Sequence, residues 1–423
     1  MKFKYVLFLA VPFLNMAQSD IKADKLPLPG KSHENFSNVI GWKDGRTPQA
    51  PDDFTVAKYA DGFENPRWMY VTPNGDVLVA ESNSNYSVPK QVGAAIIGAG
   101  KSNDLKNSAD VITLLRDTNK DGIPEVRTTF LTAAGGLDQP FGMLIIGKWF
   151  YVANSNALLR YPYKVGQTKI SGKGKKIIDL PGKKQHWTKN IIANGNNSKI
   201  YIAVGSASNI GEKGMDIEQL RANILEINPD GSGMRVYASG LRNPVGMGWA
   251  PGTKTLWTVV NERDGLGDDL VPDYLTSVKE NGFYGWPYSY FGQHVDTRVK
   301  EMKPELVQKA IVPDFALDSH SASLGLAFYT GNQFPEKYKN GAFIAQHGSW
   351  NREILSGYRV IFVPYKDGKP SGPAEDFLKG FIVSPDKDEV YGRPVGVIVM
   401  PDGALLVTDD KTNTIWRISA KAK

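Results

Sequence analysis

One phrase recurs along this chain and limits what it can fold into. A turn residue, often followed by Pro, leads into an apolar strand, a glycine-bearing turn and a second apolar strand. It reads NPRWMYVTPNGDVLVAES from Asn65, QPFGMLIIGKWFYVANS from Gln139 and KNIIANGNNSKIYIAVGS from Lys189. It returns as NPVGMGWAPGTKTLWTVVN from Asn243, SLGLAFYTGNQFPEKYKNGAFIAQ from Ser323 and RPVGVIVMPDGALLVTDD from Arg393. Each copy alternates apolar and polar residues around a turn such as Asn74-Gly75 or Asp402-Gly403, which is the pattern of a β-hairpin. With Pro66, Pro140, Asn190, Pro244, Leu324 and Pro394 as markers, the steps are 74, 50, 54, 80 and 70 residues. A period near 50 with insertions is that of propeller blades. The expected fold is therefore all-β, a six-bladed propeller of four-stranded antiparallel blades around a central channel. The long steps leave loops at 84–110, 265–320 and 366–392. A closed ring removes exposed sheet edges, and Thr414–Ile418 is expected to help seal it. The one helix expected is Met215–Arg221, a short connector. No Pro/Ser-rich spacer interrupts 56–418, so the propeller is assigned to 56–423, with an extension at 20–55.

Residues 1–19 have the order of a secretory signal peptide. Met1–Lys4 carries two lysines, Tyr5–Met16 is almost wholly apolar, and Ala17-Gln18-Ser19 supplies small residues for cleavage. The apolar run is too short to span a membrane, and no later stretch of that kind follows. A periplasmic or secreted protein without stable membrane insertion is expected. The absence of Cys excludes disulfides, Cys-ligated metals, haem attachment and thiol catalysis. A net charge of +6 over 423 residues is mild. It suits an acidic small molecule, and the lysines at 173–184 have no interleaved aromatics to stack bases, so no nucleic-acid partner is expected.

Chemistry-bearing residues are few. There is no HExxH and no GxSxG, which removes zinc hydrolases and nucleophile-elbow esterases. A near-P-loop, Ala95 to Ser102, lacks its first Gly. His186 stands just before the third copy, where residues entering an innermost strand face the channel mouth. A lone imidazole there can take a proton, and a hydrogen-bonded structural His is the alternative. Arg242 and Asn243 open the fourth copy, Arg393 the sixth, and Arg67 lies near the start of the first. Arg residues converging on an axis call for an anion, or for salt bridges to nearby carboxylates. The run Asn261–Asp269 packs carboxylates and turn carbonyls densely enough for a hard cation, or is a solvated acidic loop. Asp117, Asn119, Asp121, Ile123 and Glu125, with Gly122, follow an EF-type spacing without the closing Glu. They read equally as a structural Ca²⁺ loop or a polar hairpin turn.

The segments Arg221–Trp249, Val260–Leu275, Asn281–Tyr288, HGSWNR (His347–Arg352) and GRPVGV (Gly392–Val397) resemble the L-sorbosone dehydrogenase group. That group is similar to soluble pyrroloquinoline-quinone-dependent (PQQ-dependent) glucose dehydrogenases and fungal quinoprotein pyranose dehydrogenases. The resemblance covers roughly residues 56–418 and implies a six-bladed propeller. It makes His186 the catalytic base and Gln139 the amide lining the sugar pocket. It makes Arg242 and Asn243 the pair that grips the quinone, with Arg242 also polarising it. Arg393 and Arg352 become further cofactor contacts, and Arg263 is grouped with them. Asp264 and Gly265 take the place of two backbone carbonyls that hold the cofactor's Ca²⁺, although glucose dehydrogenases carry Gly-Pro there. Gln185 stands where those enzymes place an Asp before the base. The implied activity is that of an exported quinoprotein sugar or aldose dehydrogenase using PQQ and Ca²⁺. Its partners would be a sugar or osone substrate and an external electron acceptor, a cytochrome or a quinone. A non-catalytic carbohydrate- or protein-binding propeller and a Ca²⁺-dependent propeller lactonase are the rival readings.

Overall fold

The structure is a computed structural model, and it describes residues 26–85, 87, 93, 99–102, 105–182, 185–384 and 387–421. The signal-peptide pattern at 1–19, Lys183 and Lys184, and most of the near-P-loop lie outside the described residues.

The six sequence copies form the inner hairpins of six blades. The first blade runs Pro66–Val71, Val77–Glu81, Val111–Arg116 and Val126–Thr132, paired in that order. The second runs Met143–Ile146, Trp149–Ala153, Ala157–Pro162 and Lys175–Asp179. The third runs Lys189–Ala193, Ile200–Val204, Asn223–Ile227 and Arg235–Ser239, with Gly282–Phe283 added in parallel. The fourth and fifth begin at Pro244–Trp249 and Ser323–Phe328. The sixth pairs Pro394–Val399, Leu405–Asp409 and Thr414–Ala420, and its outermost strand is Phe54–Ala60 from the other end of the chain. Thr414–Ala420 thus joins the ring's two ends, and the propeller begins at Phe54.

The structure departs from expectation in two places. The insertions at 265–320 and 366–392 are not only loops. They carry Pro272–Ser277 and Phe315–Ser319, the outer strands of the fourth blade, and Glu375–Leu378, the outermost strand of the fifth. The expected helix is a 3-10 turn, Met215–Glu218, because Gln219 is already extended at ψ 129 and Leu220 is left-handed. A one-turn α-helix instead forms at Pro304–Val307, with Pro at its start.

Among the described residues, six apolar clusters fill the ring; five join two consecutive blades, and the one between the first and second blades also takes in Trp187, Val245, Leu324 and Val395 from the other four. Leu144, Tyr151 and Leu158 meet Ile200, Ile202 and Leu225 between the second and third blades. Phe54, Tyr338, Phe343, Phe377 and Trp416 meet between the fifth and sixth. At the axis the inner strands approach backbone to backbone. A Cβ on Gly246 would lie 2.7 Å from Leu324 O and Leu326 N, and one on Gly325 2.4 Å from Val395 O. Glycine lets each inner strand lie against the next.

Gly246→Ala should therefore lower the thermal midpoint by several degrees, in line with about 1–3 kcal/mol of overpacking. Gly195→Ala, with open space around it, should leave it unchanged. Differential scanning calorimetry of both variants checks this, and equal midpoints would contradict the close packing.

Candidate functional site

In an antiparallel hairpin the start of the first strand and the end of the second lie at the same end. Residues just before each inner strand and just after its partner therefore collect on one face of the ring. This face gathers His186 and Ser206 from the third blade, Arg242, Asn243, Glu262 and Asp264 from the fourth, and His320 and His347 from the fifth. Arg393 and Asp410 come from the sixth.

His186 is half-buried, and its Nδ1 lies 2.9 Å from Ser206 O and 3.0 Å from Ser206 Oγ. The Ser206 hydroxyl donates to Ser208 O. A carbonyl can only accept, so Nδ1 carries the proton and Nε2 keeps its lone pair. Burial, and then the nearby Arg242 charge, lower the imidazole pKa to about 3. His186 is thus a neutral imidazole with a fixed tautomer. Gly205 permits this packing, since a Cβ there would strike Asn243 Oδ1 at 2.3 Å and His186 Cβ at 2.5 Å.

Arg242 is almost fully buried, 3% exposed. Its guanidinium donates to Glu262 O at 2.5 Å, Asn261 O at 3.3 Å, Asn209 O at 3.3 Å and Asn209 Oδ1 at 2.9 Å. It also pairs with the Asp264 carboxylate at 3.0 Å. Burial opposes the ionisation of Asp264, but Arg242 and then His320 hold its carboxyl below the usual range. Beside this braced cation, the Asn243 side-chain oxygen is buried without a protein partner. An orphaned amide next to a neutral imidazole and a guanidinium is built to meet a ligand. The orphaned atom is an acceptor, so the ligand it fits offers an N–H or O–H at that point.

The Arg393 guanidinium donates to His347 O, Gly348 O and Ser102 O and lies over the Tyr358 ring, while its backbone N–H donates to Asp409. Arg67 bonds Asp410 at 2.5 Å and lies over the Trp187 ring. Asp410 also accepts from His347 Nε2 at 2.9 Å. His347 is lowered to about 3 by burial and by Arg393. The Arg67 and Arg242 guanidiniums are therefore paired with carboxylates, and among the described residues that of Arg393 is met by carbonyl dipoles and an aromatic face.

The other expected residues are placed less centrally. Gln139 is buried in a left-handed conformation, donating from its amide to Asn83 O and from its backbone to Asp110. Phe141, two residues on, packs edge to face on Trp187. Arg263 pairs with the buried Asp296, and Arg352 with Asp269 and Asp268 O. Gln185 is exposed. Asp117, Asp121 and Glu125 come close enough to share a cation, but each accepts backbone N–H groups of its own loop. Asn119 serves that same turn, and the Ile123 side chain is exposed. The polar-turn reading accounts for all of these bonds.

The Asp264 and Gly265 carbonyls do not fit a Ca²⁺ ion. Asp264 O accepts from Arg263 and Asn209, and Gly265 O accepts from Arg298.

Sequence reasoning missed Ser206, Asn209, Asp273, His320, His347 and Arg298, and took Glu262 only as part of the acidic run. The histidines carried a signal, their scarcity. Glu262 lies near Arg242 and its backbone N–H donates to Asp273, and burial raises the two carboxyls to about 7 and about 6.

The model of a family described as "Domain of unknown function (DUF7133)" matches residues 46–416. An uncharacterised protein of Borreliella burgdorferi is 34% identical over 244 residues, 57% of this chain and 62% of its own length. The aldose sugar dehydrogenase YliI of Escherichia coli is 28% identical over 152 residues, 32% of this chain and 39% of its own. The matches thus span less than two thirds of both relatives. The PQQ domain of Coprinopsis cinerea pyranose dehydrogenase, solved in its holo form, superposes with a TM-score of 0.70 at 18% identity. It covers 91% of this chain and 100% of that one, which establishes a shared fold.

The titrations make a prediction. His186 and His347 stay neutral in the fold down to about 3, whereas the unfolded chain protonates them near 6.5, so both favour unfolding as pH falls. Glu262 and Asp273 keep protons up to about 7 and about 6, against 4.5 and 3.8 when unfolded, so both favour folding as pH falls. Between these limits the two pairs oppose one another. In Glu262→Gln one opposing group is gone, and the thermal midpoint should rise more steeply with pH between about 5 and 6.5 than in the wild type. An unchanged slope would show that Glu262 is ionised in the fold.

Proposed function

The chain belongs to the family described as DUF7133, and we propose that it is an exported quinoprotein dehydrogenase that oxidises a sugar or osone with PQQ at the ring axis. The observation that carries this reading is the neutral His186, its Nε2 lone pair open, beside the unpartnered Asn243 amide and the braced Arg242. Support also comes from the PQQ-dependent pyranose dehydrogenase of matching fold and from the aldose sugar dehydrogenase among the sequence relatives. Export rests on the pattern of Met1–Ser19. Among the described residues, no helix is long and apolar enough to cross a membrane.

Asn243, Arg242 and Arg393 would hold the cofactor, Asn243 through its open amide and the arginines through fixed positive charge. PQQ supplies a hydride acceptor, which no side chain of this protein can be. His186 Nε2 takes the hydroxyl proton of the sugar carbon, or of an aldehyde hydrate, as its C–H hydride departs. Nδ1–H stays bonded to Ser206 O throughout, and the imidazolium that forms keeps that bond. Arg242 lowers the imidazole's basicity in the free protein. An anionic ligand beside it offsets that charge and raises the His186 pKa towards its task. An external acceptor, a cytochrome or a respiratory quinone, would take the two electrons of the hydride, and two protons would leave to solvent, one from His186 and one from the hydride. Gln139 stands one ring from Trp187 and would orient the sugar.

Purified protein loaded with PQQ and given a panel of aldoses and osones should reduce an electron-accepting dye. His186→Ala should lower kcat by about 10²–10⁴-fold while quinone affinity stays within about three-fold. A variant that turns over like the wild type would remove His186 from the chemistry.

A further inference from the structure

The run Asn261–Asp269 was expected to offer carbonyl oxygens to a divalent cation. In the structure its carbonyls are bonded to protein donors. Asn261 O and Glu262 O accept from Arg242. Asp264 O accepts from Arg263 Nε and Nη2 at 3.2 and 2.9 Å, and from Asn209 Nδ2 at 3.0 Å. Gly265 O accepts from Arg298. Leu266 O takes the Gly30 N–H at 2.7 Å, and Gly267 O lies 2.8 Å from His320 Nε2. Asp268 O accepts from Arg352 at 3.3 Å, and Asp269 O from the Ser319 hydroxyl at 2.8 Å. Of the carboxylates at the first half of the run, Asp264 is held between Arg242 and His320, Asp296 is paired with Arg263, and the Glu262 and Asp273 carboxyls each accept a backbone N–H and are raised to about 7 and about 6 by burial.

A hard cation needs several oxygens at one point, free of competing positive charge. Here the donors on those oxygens are themselves mostly cations. A divalent ion seated on Asp264 O and Gly265 O would share each oxygen with a guanidinium. Arg263 has no room to withdraw, because it is almost fully buried against Asp296. Asp264 replaces the first residue of a Gly-Pro pair, and its carboxylate gives Arg242 a fixed partner.

We propose that this loop is a guanidinium-braced cofactor clamp in which Arg263 and Arg298 occupy the two carbonyls that would seat Ca²⁺, and Arg298 supplies positive charge in its place, so that the quinone binds without a divalent ion. The inference rests on the quinone reading above and specifies how that site is charged. Arg298 is the exchangeable part of the clamp, since its side chain reaches Gly265 O from an exposed turn. Without it, the Gly265 carbonyl is open to an ion.

The test is PQQ binding, followed by quenching of tryptophan fluorescence in the full-length protein. It is run in excess EGTA and again in excess Ca²⁺ at constant ionic strength. Reading quinone affinity avoids counting any Ca²⁺ taken up at Asp117–Glu125. The expected result is a wild-type dissociation constant that agrees within about three-fold in the two buffers. Arg298→Ala, checked for an unchanged thermal midpoint, should bind about ten-fold more weakly in both buffers, because Arg263 stays on Asp264 O and leaves a divalent ion one carbonyl only. Wild-type binding that is lost in EGTA and restored by Ca²⁺ would overturn the clamp and leave the quinone reading standing. Arg298→Ala binding that matches the wild type in both buffers would overturn the role of Arg298. Absence of quinone binding in either buffer would overturn both.

Discussion

The structure depends on one constraint, the closure of six inner strands into a ring whose backbones touch. Gly142, Gly246 and Gly325 let the inner strands of the second, fourth and fifth blades lie on their neighbours, and inner-strand side chains such as Val245, Leu324 and Val395 share one apolar cluster. The ring also has to be locked, and antiparallel pairing of Phe54–Ala60 with Thr414–Ala420 locks it. The third to sixth blades each contribute between two and four groups to the axial face. Their spacing is set by the ring and not by any local motif. An opening between any two blades would separate His186 from Arg242, or Arg67 from Asp410.

The axial face is dense in charge and almost dry. Burying a guanidinium is costly unless its N–H groups are all met. Arg242 meets that condition with three backbone carbonyls, the Asn209 amide oxygen and the Asp264 carboxylate, and Arg393 is held by three backbone carbonyls, which gives both fixed directions. The same burial keeps His186 and His347 neutral and raises the Glu262 and Asp273 carboxyls to about 7 and about 6. Into this prearranged field the Asn243 amide points without a partner. Preorganised dipoles of this kind stabilise developing charge without having to reorient during the reaction.

The inner hairpins were legible in the sequence because their turn chemistry is local. Asn74-Gly75 and Asp402-Gly403 announce a hairpin wherever they occur between apolar runs. The outer strands of the fourth and fifth blades were hidden, since Phe315–Ser319 and Glu375–Leu378 carry no such turn and pair across long insertions. Phe54–Ala60 was invisible for a related reason, as its partner lies at the opposite end of the chain. At the site, His186 and Arg242 were legible from their place before an inner strand. Arg298 was not, because its partner is a backbone carbonyl and backbone acceptors leave no mark in composition. The cation expected on Asp264 and Gly265 failed for the same reason. The sequence displays the oxygens but not the guanidiniums that reach them.

The central claim is that the axial face is a quinone site organised by residues from separate blades. A crystal structure of the protein grown with PQQ tests it most directly. The account predicts a flat density on the axis, within hydrogen-bonding distance of the Asn243 amide and near Arg242 and Arg393, with His186 Nε2 facing the reactive edge. Quinone bound elsewhere, with Asn243 turned to a protein partner, would contradict it.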